Sequence, residues 1–387
     1  MISLFVRCAR RIAWGGLAAW LALGCNNVLG VDEFGEEDPT STGVGGGSGG
    51  SDADGGAGGG GVASYACSRE ILIETSVELP GYTAVIELDH AALIGAGKSS
   101  ASGDDVRIFQ SRPSGGEVEL SRVASPRTPW GGDAVEVAFR LPELSAEDDA
   151  TYLLVYGAAS ATAPPNDPGE VFDLWDDFDG PTLDPAWLAD AVGADAAGAA
   201  EVVGGALVVT ANGTGIDAAA DSLFFVHREL SRDFVAETVV EGESGNAAAA
   251  LVGGLMARAG ASPSDPFVAI SYRKENQGSA WLGWRTGQGE DADGQADPGA
   301  PSALPVYFQL RRSGPSVRGA VASGPGPFVE AGQGTSIGGD FPEPFRVGVP
   351  FANLEASSQT ELRVGWFSAR LVARPEPTIT LGPEGCD

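Results

Sequence analysis

From residue 67 onward the chain is written in short runs in which apolar and polar residues alternate: EILIETSV, YTAVIELD, DVRIFQ, EVELSRV, AVEVAFRL and TYLLVYG. Period-two alternation puts successive side chains on opposite faces of a strand, so one face can be buried while the other stays wet. Each run is bounded by Gly, Pro, Asp or Ser, the residues that turn a chain. In DAVEVAFRLP, Val135, Val137 and Phe139 share one face and Pro142 ends the strand; Tyr152, Leu154 and Tyr156 build the next. Helical periodicity is scarce. The pattern predicts an all-β chain, and antiparallel sandwiches meet it best.

The runs continue as GGALVVT, DFVAETVV, GGLMARAG, FVAISYR, WLGWRT, VYFQLRRSG and ELRVGWFSARLV. Together they occupy about 320 residues, enough for two domains. The stretch LWDDFDGPTLDPAW marks the join. Phe172, Trp175 and Phe178 read as apolar anchors of the strand that opens the second domain. Asp184 followed by Pro185 reads as an N-cap with proline at the first helical position. Asp176, Asp177 and Asp179 then fall at a solvated rim, with a calcium site as the other reading.

The first 62 residues differ in kind. Arg7, Arg10 and Arg11 precede an apolar run, IAWGGLAAWLALG, which is shorter than the roughly 20 residues a membrane-spanning helix needs. Such a run behind a basic start reads as an export signal. DEFGEEDPTSTG and the Gly/Ser/Asp stretch after it have too little apolar surface to offset the entropy of ordering. Setting aside Cys8 within the signal and Cys25 at its end, Cys67 and Cys386 remain, at the two ends of the strand-rich part. In an oxidising compartment a disulfide is the simplest reading of such a pair, two free thiols the other. The net charge of −30 opposes nucleic-acid binding, which needs a basic footprint. No later segment is long and apolar enough for a transmembrane helix. Membrane contact is therefore expected through an N-terminal anchor only.

Three resemblances refine this. Gly24-Cys25 at the end of the apolar run is similar to the lipobox of bacterial lipoproteins, which implies lipidation of Cys25, export, and an outer-membrane or cell-surface location. REILIET, GYTAVIELD, GDDVRIFQ and DAVEVAFRLPELSAEDDATYLLVYG resemble an uncharacterised prokaryotic surface-protein domain with no assigned activity. FDLWDDFDGPTLDPAW and the strand runs after it resemble concanavalin A-like lectin/glucanase jelly rolls. The implied organisation is a signal and anchor over 1–25, a disordered linker over 26–66, a surface sandwich over 67–171, a jelly roll over 172–372 and a return segment over 373–387.

The lectin-like resemblance implies a non-catalytic head that binds extracellular glycan or another surface component. A structural or adhesive module with protein partners is one alternative. A divergent polysaccharide hydrolase or lyase is the other. Sugar binding needs flat aromatic faces with a few polar groups; the candidates are Tyr272, Trp281, Trp284 and Trp366, with Arg258 and Arg273 as donors. A glycosidase needs two carboxylates about 5–9 Å apart. The glucanase run E-x-D-x-x-E is missing. Its nearest imitation, AETVVEGES, puts Glu237, Glu241 and Glu243 on one face, with the last two at a strand's solvated end. Neither His90 nor His227 has the partners of a nucleophilic triad or a zinc site. Asp291, Asp293 and Asp297 in GEDADGQADPG offer oxygen ligands around a tight turn, although the glycine falls at position four rather than the EF-type six. Calcium there is the one cofactor expectation.

Overall fold

The computed structural model describes residues 64–78, 81–112, 116–142, 150–245, 252–273, 279–297, 303–336, 341, 343–353 and 360–387. The expected lipidation site Cys25, the signal and most of the linker lie outside them. Among the described residues strands dominate, with two short helices, His90–Gly95 and Pro168–Val171. The pairings between strands are antiparallel. The all-β sandwich reading is correct.

The first sandwich stacks a five-stranded sheet on a three-stranded one. Its period-two pattern is obeyed closely. Val135, Val137 and Phe139 face inward with Ile71, Ala84, Ile86, Tyr152, Leu154 and Tyr156, while Glu136, Ala138 and Arg140 point the other way along the same strand. The three-stranded sheet consists of Thr83–Leu88, Val135–Arg140 and Arg122–Ala124. Its outward face, with Val85, Glu136 and Ala138, is turned toward the second sandwich.

The second sandwich packs an eight-stranded sheet against a seven-stranded one. Between them lie Phe234, Ala236, Val240, Leu255, Val268, Ile270, Phe308, Leu310, Phe345, Val347, Leu362 and Phe367. A second apolar cluster, with Phe225, Met256, Phe267 and Trp281, covers the far side of the seven-stranded sheet. Trp281 lies flat across two glycines there. A Cβ on Gly283 or Gly294 would meet its ring at 1.5 or 1.7 Å, so no side chain larger than hydrogen fits at either position.

The chain's last strand, Thr378–Cys386, does not extend the second sandwich. It pairs with the first strand of the first, Cys67–Glu74, in the register Cys67↔Cys386 and Glu74↔Thr378. The jelly-roll-like part is thus an insertion between a sandwich and that sandwich's own edge strand. Cys67 and Cys386 form a disulfide across a sequence separation of 319 residues. Tyr156 donates to Glu384 at 2.5 Å, and Lys98 pairs with the same carboxylate.

One polar group is buried deep in the second sandwich. The Asp221 carboxylate sits between the guanidinium groups of Arg258 and Arg285, and all three side chains are fully buried. Arg285 also donates to the carbonyls of Pro263, Asp265 and Ala218. Removing one partner of such a set strands charge in a low-dielectric interior. Asp221→Asn is therefore expected to cost about 3–5 kcal/mol in unfolding free energy by urea titration. Cys67→Ser/Cys386→Ser is expected to cost roughly 2–5 kcal/mol, because an unfolded loop of this length gains much freedom when opened. A reducing agent should reproduce that loss in the wild type and leave the double variant unmoved.

Candidate active site

The strand Phe234–Gly245 carries the central residue of the site. Phe234, Ala236 and Val240 point into the core, so Val235 and Glu237 must face outward from the eight-stranded sheet. Pairing sets Glu237 opposite Gln309 on one neighbour and Ser368 on the other. Gln309 donates its amide N–H to Glu237 Oε1 at 2.7 Å. Trp366 and Arg370 flank Ser368 on the same outward face, and Trp175 comes from the short strand paired there.

The first sandwich supplies the opposite wall. Val85, Ser125, Pro126, Glu136 and Ala138 complete a cavity of about 130 Å³ over Glu237. Glu136 is fixed by Arg127 at 2.5 Å; the arginine side chain is 1% exposed and Glu136 30%. The same guanidinium stands over the Phe328 ring, 4.4 Å from its centroid, and donates to the Gly326 carbonyl. A third side is aromatic. Phe172 stacks on Trp175 at 5.1 Å, and Trp175 on Trp366 at 6.2 Å with their planes 13° apart.

Two carboxylates thus share one cleft in unlike surroundings. Loss of water around Glu237 pushes its carboxyl above the usual glutamate range, and the negative charge of Glu136 pushes the same way. The Gln309 hydrogen bond and the charges of Arg127 and Arg370 oppose the shift without cancelling it. Glu136 has an ion-pair partner of its own in Arg127. Pushing up one of two neighbouring carboxyls while the other sits in an ion pair is the kind of difference that separates acid and base roles.

The acidic run was only partly read from sequence. Glu241 and Glu243, on the same face of that run, do not line the cleft. Glu241 turns to Arg363 at 3.0 Å, and Glu243 lines a separate depression with Glu201 and Glu361. Glu237 finds its partner on another sandwich. The one sequence signal for Glu136 is its place opposite the apolar trio Val135, Val137 and Phe139, and that signal names no partner.

Of the six expected sugar-contacting residues, the structure brings Trp366 alone to the cleft. Arg258 is committed to Asp221. Arg273 forms a bidentate pair with Asp217 at 2.7 and 2.8 Å and stands 3.5 Å over the Trp281 ring. Tyr272 and Trp281 are buried in two different clusters, and Trp284 packs against the main core. Asp291 and Asp293 are exposed; the side chain of Asp297 lies outside the described residues. Among the described residues the one group of three potential metal ligands is Cys67, Glu384 and Cys386, whose sulfurs are joined to each other. His90 accepts from the Gly131 N–H at 2.9 Å and meets Ser99 at 3.0 Å. His227 meets Asp190 at 3.1 Å. Neither lines the cleft.

The aspartate-rich seam divides its roles. Asp176 accepts from Trp187 Nε1 and from the Phe178 N–H, both at 2.8 Å. Asp184 accepts from the Ala186 N–H at 2.7 Å, capping a short turn as its place before Pro185 suggested. Phe172 and Trp175 are anchors that also form the aromatic wall.

No family model matches the chain, and no curated protein does. Solved structures that are similar include the xylan β-1,4-xylosidase of Bacillus halodurans, at 14% identity and a TM-score of 0.39, over 68% of this chain and 52% of that one. The endo-1,3-β-glucanase catalytic domain of Thermotoga petrophila is similar at 13% identity and a TM-score of 0.35, over 51% and 96%. The GH43 protein BlXynB of Bacillus licheniformis is similar at 13% identity and a TM-score of 0.39, over 78% and 64%. The chain spans about half the length of the xylosidase. Likeness at this level assigns no activity, so the chemistry is argued from the cleft's own residues. The expectation of a non-catalytic, lectin-like head is nonetheless corrected. Two carboxylates that this expectation counted out, Glu136 and Glu237, line one cleft.

Glu237 also predicts a pH effect on folding. Its folded pKa lies above the unfolded one, so its contribution is full below the unfolded value and is lost as pH rises through the folded value. The wild type should lose unfolding free energy as pH climbs beyond the ordinary glutamate range. Glu237→Gln, neutral throughout, should show a flatter profile; equal slopes for both proteins would place the effect elsewhere.

Proposed function

We propose that the protein is a polysaccharide hydrolase whose site is the cleft between its two sandwiches. The carrying observation is the unlike pair in one cleft, Glu237 with its carboxyl pushed up by desolvation and Glu136 in an ion pair with Arg127. Glu237 donates its proton to the glycosidic oxygen as the bond breaks. Glu136 acts on the other side of the anomeric carbon, where a carboxylate stabilises developing positive charge and directs water or attacks it. Gln309 fixes the rotamer of the acid through its 2.7 Å hydrogen bond. Trp175 and Trp366 line the cleft, and aromatic side chains with a few polar groups are the usual lining of a small-molecule site.

Reducing-sugar release from a panel that includes β-1,3-glucan and β-1,4-xylan tests this reading. Removing one member of an acid–base pair typically costs 10²–10⁴-fold in rate. Glu237→Gln and Glu136→Gln should each lower turnover by about that factor while remaining folded. Turnover unchanged in either variant would refute the assignment.

We further propose that the enzyme works outside the cytoplasm, tethered by a lipid on Cys25. The basic, apolar N-terminal segment supports this, as does a disulfide that needs an oxidising compartment. Radiolabelled palmitate should enter the wild-type protein and not Cys25→Ser. Label in both would refute it.

A further inference from the structure

We infer that the cleft accepts the end of a glycan and not its middle, so that the enzyme removes sugars from chain termini. The inference rests on the hydrolase reading above and adds its substrate geometry. A sheet face that binds a long polymer across its strands must be open at both ends. Here the outward face of the eight-stranded sheet is roofed at Glu237 by the three-stranded sheet of the first sandwich.

Contacts close the roof on two sides. On one, Arg127 reaches past Glu136 to the Gly326 carbonyl and the Phe328 ring. On the other, Val123 and Ala138 pack with Val171, and Val85, Phe172 and Trp175 lie against that cluster. Thr83 donates to the Val171 carbonyl at 2.5 Å, and Arg140 pairs with Asp173 at 3.2 Å. These contacts tie the roof down next to the cleft, and a substrate has to be seated in the space they leave. The space left, about 130 Å³, is below the roughly 300–1,000 Å³ of sites that take drug-sized ligands. It suits one ring against the tryptophans.

The roof cannot swing away freely. The second sandwich is joined to the first at both of its ends, because the closing strand Thr378–Cys386 returns to pair with Cys67–Glu74. Two covalent connections resist the hinge motion that one would permit. Phe328 packs under the Arg127 guanidinium where the roof meets the second sandwich, and cutting it back loosens that contact while leaving both glutamates in the chain.

The test uses the full chain, with β-1,3-gluco- and β-1,4-xylo-oligosaccharides of one to six rings as probes. Cleavage of an end-labelled hexamer should release single sugars first, and polymer viscosity should fall little per bond broken. Phe328→Ala should raise the share of internal cuts. Early internal products and a steep fall in viscosity from the wild type would overturn the inference and leave the hydrolase reading intact. Calorimetry on the inactive Glu237→Gln protein gives a second arm. Affinity should level off after one or two rings; a gain of about tenfold (1.4 kcal/mol) for each further ring would overturn the inference. Absence of both cleavage and binding across these probes would count against the hydrolase reading itself, and against this one with it.

Discussion

The pairing of the first described strand with the last is the constraint on which the rest depends. Cys67–Glu74 and Thr378–Cys386 run antiparallel and are joined at their ends by a disulfide. Everything between must leave the first sandwich and return to it. An inserted sandwich attached at two points has few orientations open to it, and the one adopted lays its eight-stranded sheet beneath the outward face of the host. The cleft is a by-product of that closure. It has one wall from each sandwich and would not exist in either alone.

Its electrostatics follow from the same packing. Glu237 projects from a sheet whose outward face would be wet in an isolated sandwich. The roof removes water from it and brings Glu136 near, and both effects favour the protonated form. Arg127 couples this chemistry to the docking contact. It pairs with Glu136 while its other donors and its flat face hold Gly326 and Phe328. A guanidinium suits this double duty because it offers several donors in a plane that also stacks on an aromatic ring. A lysine would keep the ion pair and lose the wall.

The buried triad of Asp221, Arg258 and Arg285 shows how differently charge is used elsewhere. There one carboxylate accepts from two guanidinium groups, and a further guanidinium donor goes to a backbone carbonyl. The arginines that looked like sugar donors in the sequence are consumed in this way, Arg258 by Asp221 and Arg273 by Asp217. Arginine within a strand-rich run signals either recognition or an internal staple, and only the neighbours distinguish them.

The chain's own pattern determined that this is a strand-built protein, where Val135, Val137 and Phe139 would point, and that Cys67 and Cys386 bracket the strand-rich part. These are local or pairwise properties: side-chain direction alternates along any strand, and two cysteines left over in an oxidising compartment have few other partners. Tertiary structure alone decided which outward residues meet. Glu136 and Glu237 are a hundred positions apart in the sequence, on different sandwiches, and nothing in either strand encodes the other. Their juxtaposition arises from how two sheets dock, a matter of shape and of chain connectivity, and so does the burial that sets one glutamate apart from its partner.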